Sequence, residues 1–353
     1  MIARQGGGVL LEPSDVAPSR EDFEVVGVFN PGTTLFNDEV VLMVRIAERP
    51  RERREGFLPL PRWQPGVGTV VDWFPESEWE PIDARVFRRK SDGLVRLTFL
   101  SHLRVVHCGP GHSVQSRADM WIDPKSPLEE FGIEDPRITR IGDRYWITYV
   151  AVSRHGASTA LMSTGDFQSF TRHGILFCVE NKDVVLFPEQ INGEFVALHR
   201  PNGHTPFTRP EIWLARSPDL HHWGKHEPLI LSTQSWGSGR IGMGPPPIRT
   251  ALGWLAIYHG NTQPTRPGEV GIYSAGALLL DLDDPSRVIG RTLEPFFEPT
   301  TNFEREGFVP DVVFPTGIVR KEDSLMLYYG AADSCTAVVE FSLAQLLDVI
   351  HYD

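Results

Sequence analysis

Short apolar runs recur along the chain, each behind a polar turn. Asn37-Asp38-Glu39 precedes 40–44, Asp92-Gly93 precedes 94–100, and Gly142-Asp143 precedes 145–150. Asn192-Gly193 precedes 195–198, Gly253 precedes 254–258, and Glu322-Asp323 precedes 325–329. Asn, Asp and Gly supply the positive φ or local side-chain bonding that tight turns need, and the β-branched and aromatic residues that follow favour strands. A second element stands ahead of each turn: Asn30-Pro31, Asp83-Ala84-Arg85, Asp135-Pro136-Arg137, Asp183-Val184-Val185, Gly244-Pro245-Pro246-Pro247 and Asp311-Val312-Val313. Two units echo each other further, with Leu186-Phe187-Pro188 after Asp183 and Val313-Phe314-Pro315 after Asp311.

The units lie roughly 50 residues apart early in the chain and 60–70 later, about the length of four short strands with tight turns, or one β-propeller blade. Six units are counted, and a blade completed by both chain ends reduces them to five. The expected fold is all-β. Only the tail has helical spacing, with Leu343, Leu346, Leu347 and Ile350 behind a Ser342 cap. The expected division is an N-terminal extension over 1–24, a propeller domain over 25–341 and a short helical tail over 342–353. Gly6-Gly7-Gly8 is expected in a loose end, and the charged, proline-flanked segment 49–62 as a surface loop or flap.

Composition narrows the function. The 353 residues are 41% hydrophobic and 23% charged, ample for a large core, and the formal net charge is −12. That balance argues against a general binder of nucleic acid or membrane surface, while leaving room for a local basic pocket. Cys108, Cys178 and Cys335 form neither a disulfide framework nor a zinc pattern and point to a reducing compartment. The N-terminus lacks a signal-peptide core, and no run is long enough to cross a bilayer. The expectation is a cytoplasmic protein with no nucleic-acid or membrane partner, and the sequence leaves room for a homo-oligomer. It has no Gly-x-Ser-x-Gly, His-Glu-x-x-His, Walker loop or dinucleotide fingerprint, and its histidines, His221-His222 included, show no metal-ligand spacing. No metal and no cofactor are expected.

The candidate chemistry centres on Gly132-Ile133-Glu134-Asp135-Pro136-Arg137-Ile138-Thr139. Pro136 fixes its own φ and favours an extended Asp135, which would send Glu134 and Asp135 to opposite faces and place Arg137 on the face of Asp135. A carboxylate presented rigidly beside a cation is an acid/base candidate. Taken alone it is also an ordinary salt-bridged strand start. If the units are blades, the starts of their first strands converge, gathering Asn30, Asp83, Asp135, Lys182, Asp183 and Asp311 in one funnel. Lys182, Arg200, Arg249 and His259 stand at strand ends and together would make an oxyanion pocket.

These segments, in series, resemble glycoside hydrolase family 130, the mannoside phosphorylases and related β-mannosidases. The Asp135 segment is similar to the family's catalytic segment. Lys182-Asp183 through Leu186-Phe187-Pro188-Glu189, then His199-Arg200-Pro201, is similar to its phosphate-binding region. Gly244-Pro245-Pro246-Pro247-Ile248-Arg249-Thr250, Gly253-Trp254-Leu255, Tyr258-His259-Gly260, Ala277-Leu278-Leu279-Leu280-Asp281-Leu282 and Tyr328-Tyr329-Gly330-Ala331-Ala332-Asp333 continue the match in order.

The resemblance implies a five-bladed β-propeller and an inverting attack by inorganic phosphate on a β-mannosidic bond, releasing α-mannose 1-phosphate from mannobiose or manno-oligosaccharides. Phosphate is then a co-substrate. Asp135 would be the acid, acting through the 3-hydroxyl of the bound mannose. Asn30, Arg45 and Asp333 would hold the sugar, joined by Asp83 and Asp183 from the funnel. Lys182, Arg200, Arg249, His259 and Tyr273 would hold phosphate. Lys182-Asp183 stands where several phosphorylases carry Arg-Asn, and an Asp beside phosphate needs a neutralising cation. An inverting β-mannosidase on the same scaffold is the alternative, and a non-catalytic sugar-binding propeller is a second one.

Overall fold

A computed structural model of the chain describes residues 2–109, 114–202, 209–230, 235–264, 266 and 268–352. Nearly all regular structure in it is antiparallel β. A first sheet runs Phe23–Phe36, Glu39–Pro50, Leu100–Cys108 and Val114–Ile122 in spatial order. A second holds Ile133–Ile141, Arg144–Ser153, Gly156–Thr164 and Thr171–Phe177, and a third holds Asn181–Leu186, Phe195–Pro201, Ile212–Ser217 and Gly224–Ile230. The fourth is built from Arg240–Met243, Trp254–Asn261, Tyr273–Leu280 and Val288–Arg291, extended by Ile248–Arg249 and His351–Tyr352. The fifth holds Val313–Lys321, Ser324–Ala331, Cys335–Ser342 and, at its edge, Gly6–Leu11. Helix is confined to Asn302–Arg305, Leu343–Asp348 and single 3-10 turns among the described residues; Ser342 caps the second helix by accepting from the Gln345 amide at 3.2 Å.

The turn signals act as expected. Asn37 and Asp38 both take positive φ (50° and 63°), as do Asn192 and Gly193 (54° and 81°). Two consecutive positive φ values make the hairpin turn whose twist matches that of the strands it joins.

Three expectations are corrected. The Asp83 unit is not a separate large sheet. Trp79–Asp83, Val86–Arg89 and Val95–Leu97 form a three-stranded sheet inserted between the second and third strands of the first sheet, which accounts for the sixth repeat. The segment 49–62 is only partly loop, because Phe57–Gln64 pairs with Gly68–Pro75. Pro59 and Pro61 lie two residues apart, so both missing N–H groups fall on one side of that ribbon, away from the partner strand. Gly6-Gly7-Gly8 is not a loose end: it opens the edge strand that pairs with Cys335–Ser342.

The sheets' inner strands meet one another in sequence. A Cβ on Gly32 would lie 2.8 Å from the Pro136 carbonyl, and Thr139 Oγ1 donates to the Leu186 carbonyl at 3.3 Å. A Cβ on Gly242 would strike Asp183, and one on Gly244 would lie 2.9 Å from the Pro315 carbonyl. Thr316 Oγ1 then donates to the Pro31 carbonyl at 2.9 Å, joining the fifth sheet to the first.

Candidate active site

A recurring backbone device places polar side chains at the inner ends of these strands. Asn30, Asp135, Asp183 and Asp311 all have positive φ, between 49° and 59°. The first three coincide with register shifts in their sheets. Asn and Asp tolerate this left-handed conformation better than branched residues, and held backbone of this kind clusters at functional sites. The extended Asp135 expected from Pro136 is therefore corrected. The bulge also cancels the expected divergence of Glu134 and Asp135, and both meet Arg45.

Asp135 lines a cavity of about 220 Å³ together with Asn30, Arg45, Arg85, Glu134, Lys182, Asp183, Arg200, Arg240, Tyr273 and Asp333. Arg45 donates through Nη1 to Asp135 Oδ1 at 2.9 Å, through Nη2 to Glu134 Oε1 at 2.8 Å and through Nε to Ser101 Oγ at 3.1 Å. Its guanidinium packs over Phe29, 4.6 Å from the ring centre. Asn30 Nδ2 donates to the same Asp135 oxygen at 2.8 Å. Oδ1 is thus doubly held, while Oδ2 accepts no bond among the described residues and is available to a ligand. Burial favours the neutral acid at Asp135, but Arg45 and Arg137 outweigh it and hold the carboxyl below its usual range. Asp333 goes the other way: burial, with Asp135 and Glu134 nearby, raises it against the pull of Arg85 and Arg45.

The other wall is cationic. Asp183 sits at its centre, with Arg200 Nη1 at 2.6 Å and His259 Nε2 at 3.1 Å from Oδ2, and Arg137 Nη2 at 3.3 Å from Oδ1. Burial would raise the Asp183 carboxyl, but Arg200, His259 and Arg137 hold it far below the usual range. Burial pushes His259 down despite Asp183, so the ring is neutral and donates Nε2–H. Gly242 is required here: a Cβ would come within 2.8 Å of both Arg200 Nη1 and His259 Nε2. Lys182 and Arg240 also line the cavity, each half-buried with no side-chain hydrogen bond or ion pair among the described residues. Two unpaired cations beside a neutralised Arg–Asp pair have the chemistry to hold an anion.

Asn30, Arg45, Asp135, Lys182, Asp183, Arg200, Tyr273 and Asp333 are therefore brought together. Asp183 is enclosed by cations, not offered to a sugar. His259 is fully buried behind it and supports the wall without lining it. Asp83 lines an adjoining cavity and grips Arg85, at 2.8 Å from Nη2 to Oδ2. Arg249 lies away from the site, 59% exposed and 3.4 Å from Glu189. Arg249→Ala should leave the KM for phosphate within about twofold of wild type, as expected for an exposed, solvent-screened pair; steady-state kinetics over a phosphate series checks this. Sequence reasoning missed Arg85 and Arg240. Arg240 opens the inner strand of the fourth sheet, as Asn181, next to Lys182, opens that of the third, so a repeat aligned on the strand starts points to it. Among the described residues, no group of three or more His, Cys, Asp or Glu side chains is arranged to hold a metal ion.

Residues 97–352 match the glycoside hydrolase 130 family model, described as β-1,4-mannooligosaccharide phosphorylase. A β-1,2-mannobiose phosphorylase of Listeria innocua serovar 6a is 38% identical over 352 residues, covering 98% of this chain and 97% of that protein. A 1,2-β-oligomannan phosphorylase of a Thermoanaerobacter species is 38% identical over 222 residues, 62% of this chain and 70% of its own. The solved structure of the Listeria innocua β-1,2-mannobiose phosphorylase with β-1,2-mannobiose superposes with a TM-score of 0.90 over 96% of each chain. A family model spanning most of the chain and a relative matched nearly end to end leave one conclusion: the chain belongs to glycoside hydrolase family 130.

Proposed function

We propose that this protein is an inverting β-mannoside phosphorylase, and that its substrate is a β-1,2-linked mannobiose or short oligomannoside. The carrying observation is the pairing of a half-free carboxylate, Asp135, with a wall of Lys182, Arg200 and Arg240 in one cavity. Phosphate held on that wall attacks the anomeric carbon as the bond to the leaving oxygen breaks. A proton from Asp135, relayed by the sugar, goes to that oxygen. The products are α-mannose 1-phosphate and a free sugar. Arg45 and Asn30 orient Asp135 and, with Asp333, meet the mannose hydroxyls.

A hydrolytic inverter needs a second carboxylate to activate water. The carboxylate on the cationic wall is Asp183, and its oxygens are taken by Arg137, Arg200 and His259. The β-1,2 linkage draws its support from the Listeria innocua relative, matched over nearly the whole chain.

The same reading takes the five sheets as blades of a closed five-bladed propeller, supported by the succession of inner-strand contacts that returns from Thr316 to Pro31. The catalytic unit is then residues 25–341, to which Gly6–Leu11 adds an edge strand, with 342–353 as a tail. No cofactor beyond phosphate is proposed. The cytoplasmic location is supported by three cysteines that are all free. Among the described residues no helix is long and apolar enough to cross a membrane, a statement that does not bear on β-barrels.

The test is a product assay on β-1,2- and β-1,4-mannobiose, with and without inorganic phosphate. Phosphate-dependent α-mannose 1-phosphate from the β-1,2 dimer is expected. Release of free mannose at an equal rate without phosphate would replace this reading with the hydrolase, and faster turnover of the β-1,4 dimer would overturn the linkage.

A further inference from the structure

The central cavity opens into two others. One, of about 490 Å³, joins it across Arg85, Val270 and Val309. The other, of about 700 Å³, joins it at Lys182, Arg200 and Arg240. The two share no lining residue.

We propose that phosphate enters and leaves through the larger cavity while the departing sugar occupies the smaller one, so that either can exchange with the other still bound. This rests on the phosphorylase reading. Direct displacement with inversion puts nucleophile and leaving oxygen on opposite faces of the anomeric carbon. The free cations of the central cavity border only the larger side cavity. There Arg154, 58% exposed and ion-paired with Glu130 at 2.6 Å, stands at the mouth beside His155, and the acidic residues lining the cavity are engaged as well. Asp92 holds Arg89 at 2.6 Å, and Glu180 accepts from the Ala157 amide at 2.9 Å. A funnel of one sign raises the local concentration of the opposite ion.

The smaller cavity has the reverse character. Asp83, Glu269 and Asp311 line it, and the one cation lining it among the described residues, Arg85, is gripped by Asp83. That repels phosphate. The Asp311 carboxylate has no hydrogen-bond or ion-pair partner among the described residues, and Phe308 and Val309 supply an apolar wall beside it. A pyranose needs this mixture, with acceptors for its hydroxyls and apolar surface for its C–H face.

The experiment uses the full chain. In phosphorolysis, Arg154→Glu should raise the KM for phosphate roughly tenfold by reversing charge on the ion's approach. His155→Glu should act in the same direction while leaving the Arg154–Glu130 ion pair intact. In the synthetic direction, with α-mannose 1-phosphate and mannose, Asp311→Asn should raise the KM for mannose roughly tenfold by weakening a charged hydrogen bond. Each variant should leave the other substrate's KM unchanged, and an unchanged KM for α-mannose 1-phosphate in Asp311→Asn shows that the site is intact. Initial rates with both substrates varied, plus product inhibition, should show binding in either order. A compulsory order, a variant that moves the other substrate's KM, or variants that move neither KM would overturn the proposal. If the wild-type chain forms no α-mannose 1-phosphate at all, the phosphorylase reading falls first, and no variant is needed to see it.

Discussion

Asp135→Asn is expected to slow phosphorolysis of an unactivated β-mannobiose by roughly 10²–10⁴, the usual cost of losing a general acid. The amide keeps the size of the side chain and can still accept from Arg45 and Asn30 through its oxygen, but it delivers no proton. An aryl mannoside, whose leaving group scarcely needs protonation, should lose far less. The pH dependence sharpens the test. Asp135 is held below the usual carboxyl range by Arg45 and Arg137, with Lys182 adding to the effect. In the empty site it is therefore ionised at neutral pH. Phosphate bound on Lys182 offsets that cation and raises the Asp135 pKa, which extends the protonated form to higher pH. The alkaline limb of kcat should thus lie at higher pH than that of kcat/KM for phosphate, because the two report the bound and free enzyme. Glu134→Gln is not a neutral control, since Arg45 bridges both carboxylates. A near wild-type rate for a folded Asp135→Asn on mannobiose would remove Asp135 from the mechanism.

Asp183→Asn should have the largest effect on stability. It leaves Arg137 and Arg200 buried without the carboxylate between them, and breaking a buried pair by removing one partner costs about 3–5 kcal/mol. The urea midpoint should fall with little change in slope. Phosphate should stabilise this variant more than it stabilises wild type, because a bound anion can stand in for the missing charge. The sign of the pH effect follows from the depressed carboxyl. Its contribution is present above the unfolded value of about 3.9 and is lost as pH falls below it. The gap between wild type and variant should be widest near neutrality and narrow in acid; a gap that widens in acid would refute the pairing.

Much of this was legible because its causes are local. Asn37-Asp38 and Asn192-Gly193 dictate hairpins by their own φ preferences, and Ser342 announces the tail helix. Asp135, Lys182 and Arg200 stand at strand ends that a repeat must bring together. What stayed hidden depends on pairing over long distances. The Asp83 unit has the turn chemistry of the others, and only its insertion inside the first sheet shows that it is not an equivalent repeat. Arg249 and Arg240 lie nine residues apart by number, and sequence alone does not show which one opens the inner strand. The bulge at Asp135 opposes the local preference imposed by Pro136; contacts from Arg45 and Asn30 on the first sheet accompany it.

The edge strand Gly6–Leu11 also sets an order of events in the cell. Its partner Cys335–Ser342 follows it at a distance of most of the described sequence and is translated after the strands of the first three sheets. The first four sheets can form from neighbouring hairpins as they emerge, since local contacts form fastest. The fifth needs closure of a loop spanning most of the chain, whose entropic cost grows only slowly with length. Asp333, in the turn between Ser324–Ala331 and Cys335–Ser342, belongs to that last sheet. The pocket is therefore complete only once this fifth sheet has closed. A nascent chain stalled before residue 324 has four sheets, an unpaired first strand and no complete pocket.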